Sequence, residues 1–320
     1  MWENALLLVF FSLLLVLSGV ILVRNLTKIA EFLRMTEFVI GFIVMAVATS
    51  IPELFVGISG ALQKKTGLVL GTIIGSNIVD LTLIAGISIV LVKGFNIESE
   101  KTKVDSLYMV VLAALPIVLT LFGGALVWYD GLILIFAFFL YAFRLFRQRK
   151  VFRKELKEPL SHNEVIGAVF LFLFALVVLF ISSHFLVHYA NILAFELNVA
   201  PILIGLIVIA IGTSLPELVF QTRAVLSGHT EIALGDIIGA VVVNSTLVLG
   251  ITALIFPITS DFVLFLTSGV FMIIVAFIFA TFVESGNRLY LKEGLALIML
   301  YVFFIIIEFY IKIVVNGGIR

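Results

Sequence analysis

One short motif occurs twice in this chain, each time inside a long apolar stretch. Residues 49–53 read TSIPE and residues 213–217 read TSLPE, an offset of 217 − 53 = 164. With the same offset and no gap, 18 of the 43 positions in 44–86 are identical to those in 208–250. A carboxylate is costly at membrane depth, so a duplicated acidic motif there indicates a function that requires it. The pattern predicts an internal duplication whose polar motifs meet at one site.

Composition places the duplicated motif in a membrane protein. Of the 320 residues, 62% are hydrophobic and only 12% are charged. No soluble domain of this length can bury so much apolar surface, so we expect a polytopic integral membrane protein. The formal net charge is zero, which gives no indication of a nucleic-acid partner. The absence of cysteine excludes disulfides, thiolate metal sites and cysteine catalysis.

Apolar runs long enough to span a bilayer predict ten transmembrane helices, five in each half. The runs lie near 5–23, 37–62, 68–92, 105–123, 126–146, 165–187, 199–226, 231–256, 262–283 and 290–315. We expect the first run to be a retained helix rather than a signal peptide, because Glu3 stands where a basic n-region would be. The predicted fold class is therefore an all-α membrane protein.

The odd number of helices per half fixes the relation between the two halves. After five crossings the second repeat enters the membrane from the opposite side, which predicts two inverted five-helix repeats. Arginine and lysine are concentrated around 147–163, which predicts a cytoplasmic linker and places both termini outside. The predicted organisation is a first repeat at 1–146 with its alpha-repeat at about 41–86, the basic linker at 147–163, and a second repeat at 164–320 with its alpha-repeat at about 205–250.

Each motif contains a proline that interrupts the hydrogen-bond ladder of its helix. Pro52 and Pro216 have no N–H, so each frees the carbonyl four residues earlier. Lipid offers no partner for a freed carbonyl, and a cation is one candidate partner. Thr49 and Glu53 lie at i and i+4 on one helical face, as do their counterparts in the second motif. These hard oxygen ligands suit Na⁺ or Ca²⁺, although the hydroxyls alone also fit a role in capping the broken helix.

A second shared block lies on the next helix of each half. It reads GTIIGS at 71–76 and GDIIGA at 235–240, and its glycines predict close helix packing. Ser76 and Asp80 lie at i and i+4, as do Ala240 and Asn244. Crossing of the two repeats would gather Glu53, Glu217, Asp80, Asn244, Ser50, Ser214, Thr49, Thr213 and Ser76. Asp236 shares a face with Ala240 and is expected either to line an inner ion vestibule or to be an interfacial acid paired with nearby Arg223 or Glu231.

The segments AVATSIPE at 46–53 and AIGTSLPE at 210–217 resemble the two alpha-repeats of the cation/calcium exchanger superfamily, especially its prokaryotic sodium/calcium exchanger branch. The resemblance covers the five-plus-five helix plan. It implies that Glu53 and Glu217 coordinate Ca²⁺ and share in Na⁺ binding. It implies further ligands at Thr49, Ser50, Thr213, Ser214, Ser76, Asp80 and Asn244 and at the carbonyls of Ala46 and Ala210. It also implies that the first and sixth helices, 5–23 and 165–187, slide as gates.

The chain departs from the family pattern at a few of these positions. Ala48 stands where the family usually has glycine, and Ala240 where serine is often found. Asp80 occupies a position usually held by asparagine, whereas Asn244 stands where some relatives carry the acid. Two glutamates neutralise one Ca²⁺, and a third ionised carboxylate would leave the site at −1. We therefore hypothesise that Asp80 holds a proton when Ca²⁺ is bound.

Together these features predict an antiporter that exchanges Na⁺ for Ca²⁺ by alternating access around a fixed midplane site. Three alternatives stay open: exchange of H⁺ for Ca²⁺ or another divalent cation with Asp80 as the proton carrier, a passive cation channel, and a Ca²⁺-binding scaffold that moves no ions. The chain shows no nucleophile–base pair, phosphate loop or cofactor motif, so we expect neither an enzyme nor a prosthetic group. We expect a monomer in a lipid bilayer, with no nucleic-acid partner, in a prokaryotic cytoplasmic membrane.

Overall fold

The computed structural model describes residues 2–32, 45–97, 100–148, 162–259 and 262–317, and these are mostly helical. The α-helices in chain order are α1 Trp2–Phe32, α2 Ala46–Thr49, α3 Ile51–Leu62, α4 Thr66–Val79, α5 Ala85–Leu91, α6 Glu100–Gly123, α7 Trp128–Gln148, α8 His162–Glu196, α9 Pro201–Ile204, α10 Ala210–Thr213, α11 Leu215–Leu226, α12 Thr230–Val243, α13 Leu249–Ile255, α14 Phe262–Glu284 and α15 Leu291–Gly317. Three π-helical turns join helices at Asp80–Ile84, Gly205–Ile209 and Asn244–Val248, and two short strands are β1 Gly94–Asn96 and β2 Arg288–Tyr290.

Within the described residues, eight helices are long and apolar enough to cross a membrane. A ninth span arises if the pair Pro201–Thr213 and Leu215–Leu226, bent by 41°, is one broken helix. The predicted second helix at 37–62 begins outside the described residues, and α2 and α3 are its described part. The protein is therefore an integral membrane protein, mostly helical, with eight to nine candidate spans in its described part.

The first and sixth helices extend beyond the apolar runs that predicted them. Helix α1 has 31 residues and α8 has 35, against runs predicted at 5–23 and 165–187. At about 1.5 Å per residue, both exceed the roughly 30 Å hydrocarbon core of a bilayer. The difference arises because polar residues such as Arg24 and Asn25 continue the helix past its apolar part.

The duplicated sequence folds twice into the same succession of elements. Helix α4, the π-turn after it and α5 have counterparts in α12, the π-turn Asn244–Val248 and α13. Every boundary is displaced by the same amount, as in 230 − 66 = 164 and 249 − 85 = 164. The same boundaries therefore recur although only 18 of the 43 positions in 44–86 and 208–250 are identical.

Two short backbone pairings repeat with the same offset. Strands β1 and β2 are antiparallel with Gly94 opposite Tyr290, and an isolated bridge joins Leu126 to Ile258. Because 94 + 164 = 258 and 126 + 164 = 290, each pairing is the repeat counterpart of the other. Gly94 has φ +93°, a conformation that favours glycine, and a Cβ there would meet the Leu289 carbonyl.

Helices α1 and α8 pack along each other with their own apolar seam. Leu8, Leu15 and Leu22 recur every seven residues on α1, and Leu179 and Leu186 do so on α8. A seven-residue apolar repeat is the pattern of two helices packed along a shared stripe. This seam belongs to a cluster separate from the main core formed by α4 to α7 and α12 to α15.

Small residues bring α4 close to α9 and the π-turn after it, which belong to the second half of the chain. A Cβ at Gly71 would overlap the carbonyl oxygen of Ile202, and one at Gly75 that of Leu206. From the other side, a Cβ at Gly205 would overlap the carbonyl oxygen of Leu68. The close packing predicted from the glycines of the first block is confirmed, and it holds the two repeats together at the level of the motifs.

Candidate functional site

Each TSxPE motif lies where one helix ends and another begins. Ser50 separates α2 from α3 with φ −81° and ψ 2°, and Ser214 separates α10 from α11 with φ −83° and ψ 3°. Each proline occupies the first turn of the new helix, where its missing N–H costs no hydrogen bond. The predicted broken helices are therefore formed, and the motif residues fall on both sides of each break.

The two glutamates lie in the first turns of α3 and α11. Glu53 and Glu217 are 0% exposed, so each carboxyl group is enclosed by protein rather than by lipid. The N-terminus of a helix carries partial positive charge, which favours an acidic side chain there. This position lowers the cost of burying the acids without supplying a counter-ion.

Ser76 on α4 connects the two motifs. Its hydroxyl donates to Oε1 of Glu53 at 3.2 Å and lies 3.1 Å from the hydroxyl of Thr213. Thr213 in turn is 3.2 Å from the carbonyl oxygen of Ala210. The structure thus brings two residues of the first repeat, Glu53 and Ser76, together with Thr213 and the Ala210 carbonyl of the second.

The corresponding contact in the other half is different because Ala240 has no hydroxyl. The hydroxyl of Thr49 lies 3.0 Å from the Met45 carbonyl, 3.4 Å from the Ala46 carbonyl and 3.3 Å from Oδ1 of Asp236. Asp236 is 0% exposed, so the expectation of an interfacial acid near Arg223 is wrong. The residue turns inward because Thr49 donates to one of its oxygens and Gln221 to the other at 3.3 Å.

Asp80 and Asn244 each begin a π-helical turn at the end of a buried helix. Both are buried, at 1% and 0% exposure. The hydroxyls of Thr82 and Thr246, identical in the two repeats, donate to the carbonyls four residues earlier. Single π-turns inside α-helices are frequent at functional sites, and here each begins at a buried polar residue, the acid Asp80 or the amide Asn244.

Several oxygen atoms around these residues have no hydrogen-bond partner among the described residues. They are Oε2 of Glu53, both carboxylate oxygens of Asp80 and of Glu217, the hydroxyls of Ser50 and Ser214, and the amide oxygen of Asn244. Buried polar atoms in native proteins are almost always satisfied. So many unpartnered oxygens in one region indicate a site for a cation, and carboxylate, hydroxyl and amide oxygens are the ligands of Na⁺ and Ca²⁺.

The carboxylates alone do not make the site. Glu53, Asp80 and Glu217 interact electrostatically, yet in the described ranges no three His, Cys, Asp or Glu side chains gather into a metal centre. A cation held here would therefore need hydroxyl and carbonyl oxygens as further ligands. The Ala46 and Ala210 carbonyls accept the backbone N–H of Ser50 and Ser214 at 3.3 and 3.0 Å, and the hydroxyls of Thr49 and Thr213 lie 3.4 and 3.2 Å from the same two oxygens. A cation would therefore compete with these hydroxyls for the second lone pair of each carbonyl.

Two features of the site were not found from the sequence. Gln221, which holds Asp236, corresponds to Gly57 in the first repeat, so the duplication gives no signal for it. Gly19 on α1 lies between the two breaks: a Cβ there would be 3.0 Å from Cγ of Pro216 and 3.2 Å from Cγ of Pro52. The only available signal was that Gly19 is the one glycine in α1.

Comparison with known proteins identifies this architecture. The family model for "Sodium/calcium exchanger protein" matches residues 3–147 and 167–310. The chain is 28% identical to the sodium/calcium exchanger MaX1 of Methanosarcina acetivorans, over 96% of this chain and 99% of that protein. It is 32% identical to the inner membrane protein YrbG of Escherichia coli, over 84% and 85% of the two chains.

A solved structure supports the same assignment at the level of the fold. The sodium-calcium exchanger NCX_Mj, from a crystal soaked with Na⁺ and Sr²⁺, aligns with a TM-score of 0.67 and 22% identity. The alignment covers 95% of this chain and 98% of that one. The resemblance noted in the two motifs is confirmed, and the chain belongs to the sodium/calcium exchanger family, in the prokaryotic branch of the cation/calcium exchanger superfamily.

Proposed function

We propose that the protein is a secondary active antiporter that exchanges Na⁺ for Ca²⁺ by alternating access. The observation that carries the proposal is the set of buried, unpartnered oxygens contributed by both repeats, with Glu53 and Glu217 at its centre. Two carboxylates neutralise one Ca²⁺ or hold Na⁺ ions in its place, so the two ions compete for shared ligands. Neighbouring ligands are Thr49, Ser50, Thr213, Ser214, Ser76, Asp80 and Asn244, with the carbonyls of Ala46 and Ala210.

Alternating access follows from an inverted arrangement of two five-helix repeats, 1–146 and 164–320, joined by a cytoplasmic linker at 147–163. Gly94 and Ile258 are repeat counterparts, and they take part in different backbone pairings. The chain runs from β1 through the membrane-spanning helix α6 to Leu126. The β1–β2 pairing and the bridge between Leu126 and Ile258 therefore lie at opposite ends of α6. Counterpart residues then lie on opposite faces of the membrane, which is the relation that ten helices in inverted repeats require.

The pair α1–α8 supplies the gate. Its apolar seam lies in a cluster separate from the main core, and that cluster also contains Ala48, Val56 and Ile209 of the broken helices. A shift of the pair is therefore a shift against the broken helices rather than against the main core. Gly19 contacts both proline breaks, which couples a shift of α1 to both halves of the site. Sliding of the pair exposes the ions first to one face and then to the other.

The names of relatives support a transporter of ions rather than an enzyme. MaX1 is named a sodium/calcium exchanger and shares nearly its whole length with this chain. No reacting group or prosthetic group is needed, because the proposed cycle only binds and releases Ca²⁺ and Na⁺. YrbG is named an inner membrane protein, which supports placement in a prokaryotic cytoplasmic membrane, with both termini outside in the proposed topology.

Proton-coupled Ca²⁺ exchange is the second candidate, and one observation favours it. Asp80 adds a third buried carboxyl group, and neither of its oxygens has a hydrogen-bond partner in the described part of the chain. If Asp80 carries the coupling proton, Ca²⁺ uptake follows an imposed pH difference and disappears in Asp80→Asn. A passive channel predicts instead Ca²⁺ flux that needs no counter-ion.

The test is uptake of ⁴⁵Ca²⁺ by proteoliposomes loaded with Na⁺ at equal pH on both sides. We expect uptake that requires the outward Na⁺ gradient and is lost in Glu53→Gln. Uptake that ignores Na⁺ and responds to an outward proton gradient would replace the proposal with the proton-coupled one. Saturable Ca²⁺ binding without any flux would show a scaffold.

A further inference from the structure

A continuous run of buried polar side chains leads from Ser88 on α5 to the candidate ion site. Ser88 on α5 lies 3.5 Å from Oε1 of Gln221, and Nε2 of Gln221 donates to Oδ2 of Asp236 at 3.3 Å. Oδ1 of Asp236 is 3.3 Å from the hydroxyl of Thr49. All four side chains are at most 1% exposed, so this run is separated from lipid and bulk solvent.

The counterpart positions in the other half of the molecule have no such run. The offset of 164 relates Asp236 to Thr72 and Gln221 to Gly57. Thr72 bonds to the Leu68 carbonyl within its own helix, at 2.9 Å. Asp236 is therefore a charged departure from the repeat symmetry, and the proposed exchange cycle assigns it no role.

Asp236 belongs to the second repeat, whereas the hydroxyl that it contacts belongs to the first. A hydroxyl has one proton to donate and two lone pairs. When the Thr49 proton points to the Asp236 carboxylate, the lone pairs are free for a cation. Hydrogen bonds to charged acceptors are about twice as strong as neutral ones, so the carboxylate competes effectively with the nearby backbone carbonyls of Met45 and Ala46.

We propose that Asp236 is a positioning residue for the ion site, which orients the Thr49 hydroxyl as a cation ligand and is itself held in place by Gln221. This inference rests on the proposed function, since it concerns the affinity of the same site. It predicts that Asp236 acts on bound ions through Thr49 rather than by direct coordination. Outer-shell partners of metal ligands typically contribute 10- to 100-fold to metal affinity.

Equilibrium binding of ⁴⁵Ca²⁺ to the purified full chain in detergent tests the proposal. We expect Asp236→Asn to raise the half-saturating Ca²⁺ concentration about tenfold or more. The matched control is Thr72→Val at the counterpart position, which should bind as the unaltered protein does. Gln221→Met should weaken binding in the same direction by a smaller factor, and it provides the test if Asp236→Asn does not fold.

A double-mutant cycle separates positioning from a merely structural role. In a Thr49→Val background the hydroxyl is gone, so Asp236→Asn should cause less than about a twofold further loss. A full tenfold loss in that background, or unchanged affinity in Asp236→Asn and Gln221→Met, would overturn the proposal. Ca²⁺ binding by Glu53→Gln is measured alongside. If Glu53→Gln still binds Ca²⁺, the ion site itself is misassigned. If Glu53→Gln loses Ca²⁺ binding while Asp236→Asn binds Ca²⁺ normally, only the role of Asp236 is refuted.

Discussion

The two repeats share a backbone but not a set of polar side chains. Helix α4 and the elements after it recur in the second half at a constant offset of 164, including the unusual π-turn. The side chains around the site differ at four counterpart pairs: Ser76 and Ala240, Asp80 and Asn244, Thr72 and Asp236, and Gly57 and Gln221. In the proposed exchanger, the shared backbone allows two equivalent open states, and we expect the unequal side chains to determine which ions are held and how tightly.

The largest effect is expected where the repeats are identical. Glu53→Gln and Glu217→Gln each remove one charge from the buried pair that neutralises Ca²⁺ in the proposed exchanger. We expect each to reduce Na⁺-driven Ca²⁺ uptake by about 100-fold or more, beyond the roughly 10- to 100-fold that loss of an outer-shell partner costs. The matched control is Glu308→Gln, a buried acid that accepts a hydrogen bond from Ser268 at 2.7 Å outside the site. Equal losses in all three variants would mean that buried acids are needed only for folding.

The next largest effect is expected at the proposed gate, the α1–α8 pair. In Gly19→Leu, a large side chain meets Pro52 and Pro216 at once, so we expect the transport rate to fall about tenfold or more. Ca²⁺ binding should change only a few-fold. Gly167→Leu on α8 is the control, because a Cβ there meets nothing within 4 Å. Normal transport in Gly19→Leu would show that α1 does not move against the breaks.

Asp80, the third buried acid, tests whether the difference between the two repeats affects ion binding. Asp80→Asn should change the half-saturating Ca²⁺ concentration roughly three- to tenfold, because it removes one charge from a partly screened site. It should also change the pH profile of transport. The swap Asp80→Asn with Asn244→Asp moves the acid to the other repeat and should restore most of the change. If Asp80→Asn alone alters neither affinity nor pH profile, the proton hypothesis for Asp80 is wrong.

The smallest effect is expected from restoring a missing hydroxyl. Ala240→Ser gives the second repeat the counterpart of Ser76, so we expect about a two- to threefold lower half-saturating Na⁺ concentration, measured by Na⁺ competition against bound ⁴⁵Ca²⁺. The variant adds one oxygen to a fully buried position next to Gly239. Weaker Na⁺ competition would show that the asymmetry at Ala240 favours Na⁺.

Much of the fold could be predicted because membrane depth leaves few options. An apolar run must be helical in lipid, so the candidate spans at 68–92 and 231–256 agree closely with the described helices. The proline breaks were predictable for the same reason, since Pro52 and Pro216 cannot continue a ladder. The length of α1 and α8 was not, because polar residues continue a helix beyond the hydrocarbon region without an apolar signal.

The site was predictable where it is duplicated and less so where it is not. Glu53, Ser76 and Thr213 are brought into contact as their motifs suggested. The contact of Asp236 with Thr49 joins residues 187 positions apart that share no motif. Such a contact depends on how the two repeats pack against each other, and only the folded molecule reveals it.

The most direct test of the account is simultaneous measurement of ⁴⁵Ca²⁺ entry and ²²Na⁺ exit in the same proteoliposomes at fixed pH. If the protein is a Na⁺/Ca²⁺ exchanger, Na⁺ exit requires external Ca²⁺, Ca²⁺ entry requires internal Na⁺, and both fluxes vanish together in Glu53→Gln and Glu217→Gln. Ca²⁺ entry that proceeds without Na⁺ exit would contradict the claim that the two ions share one site and exchange through it.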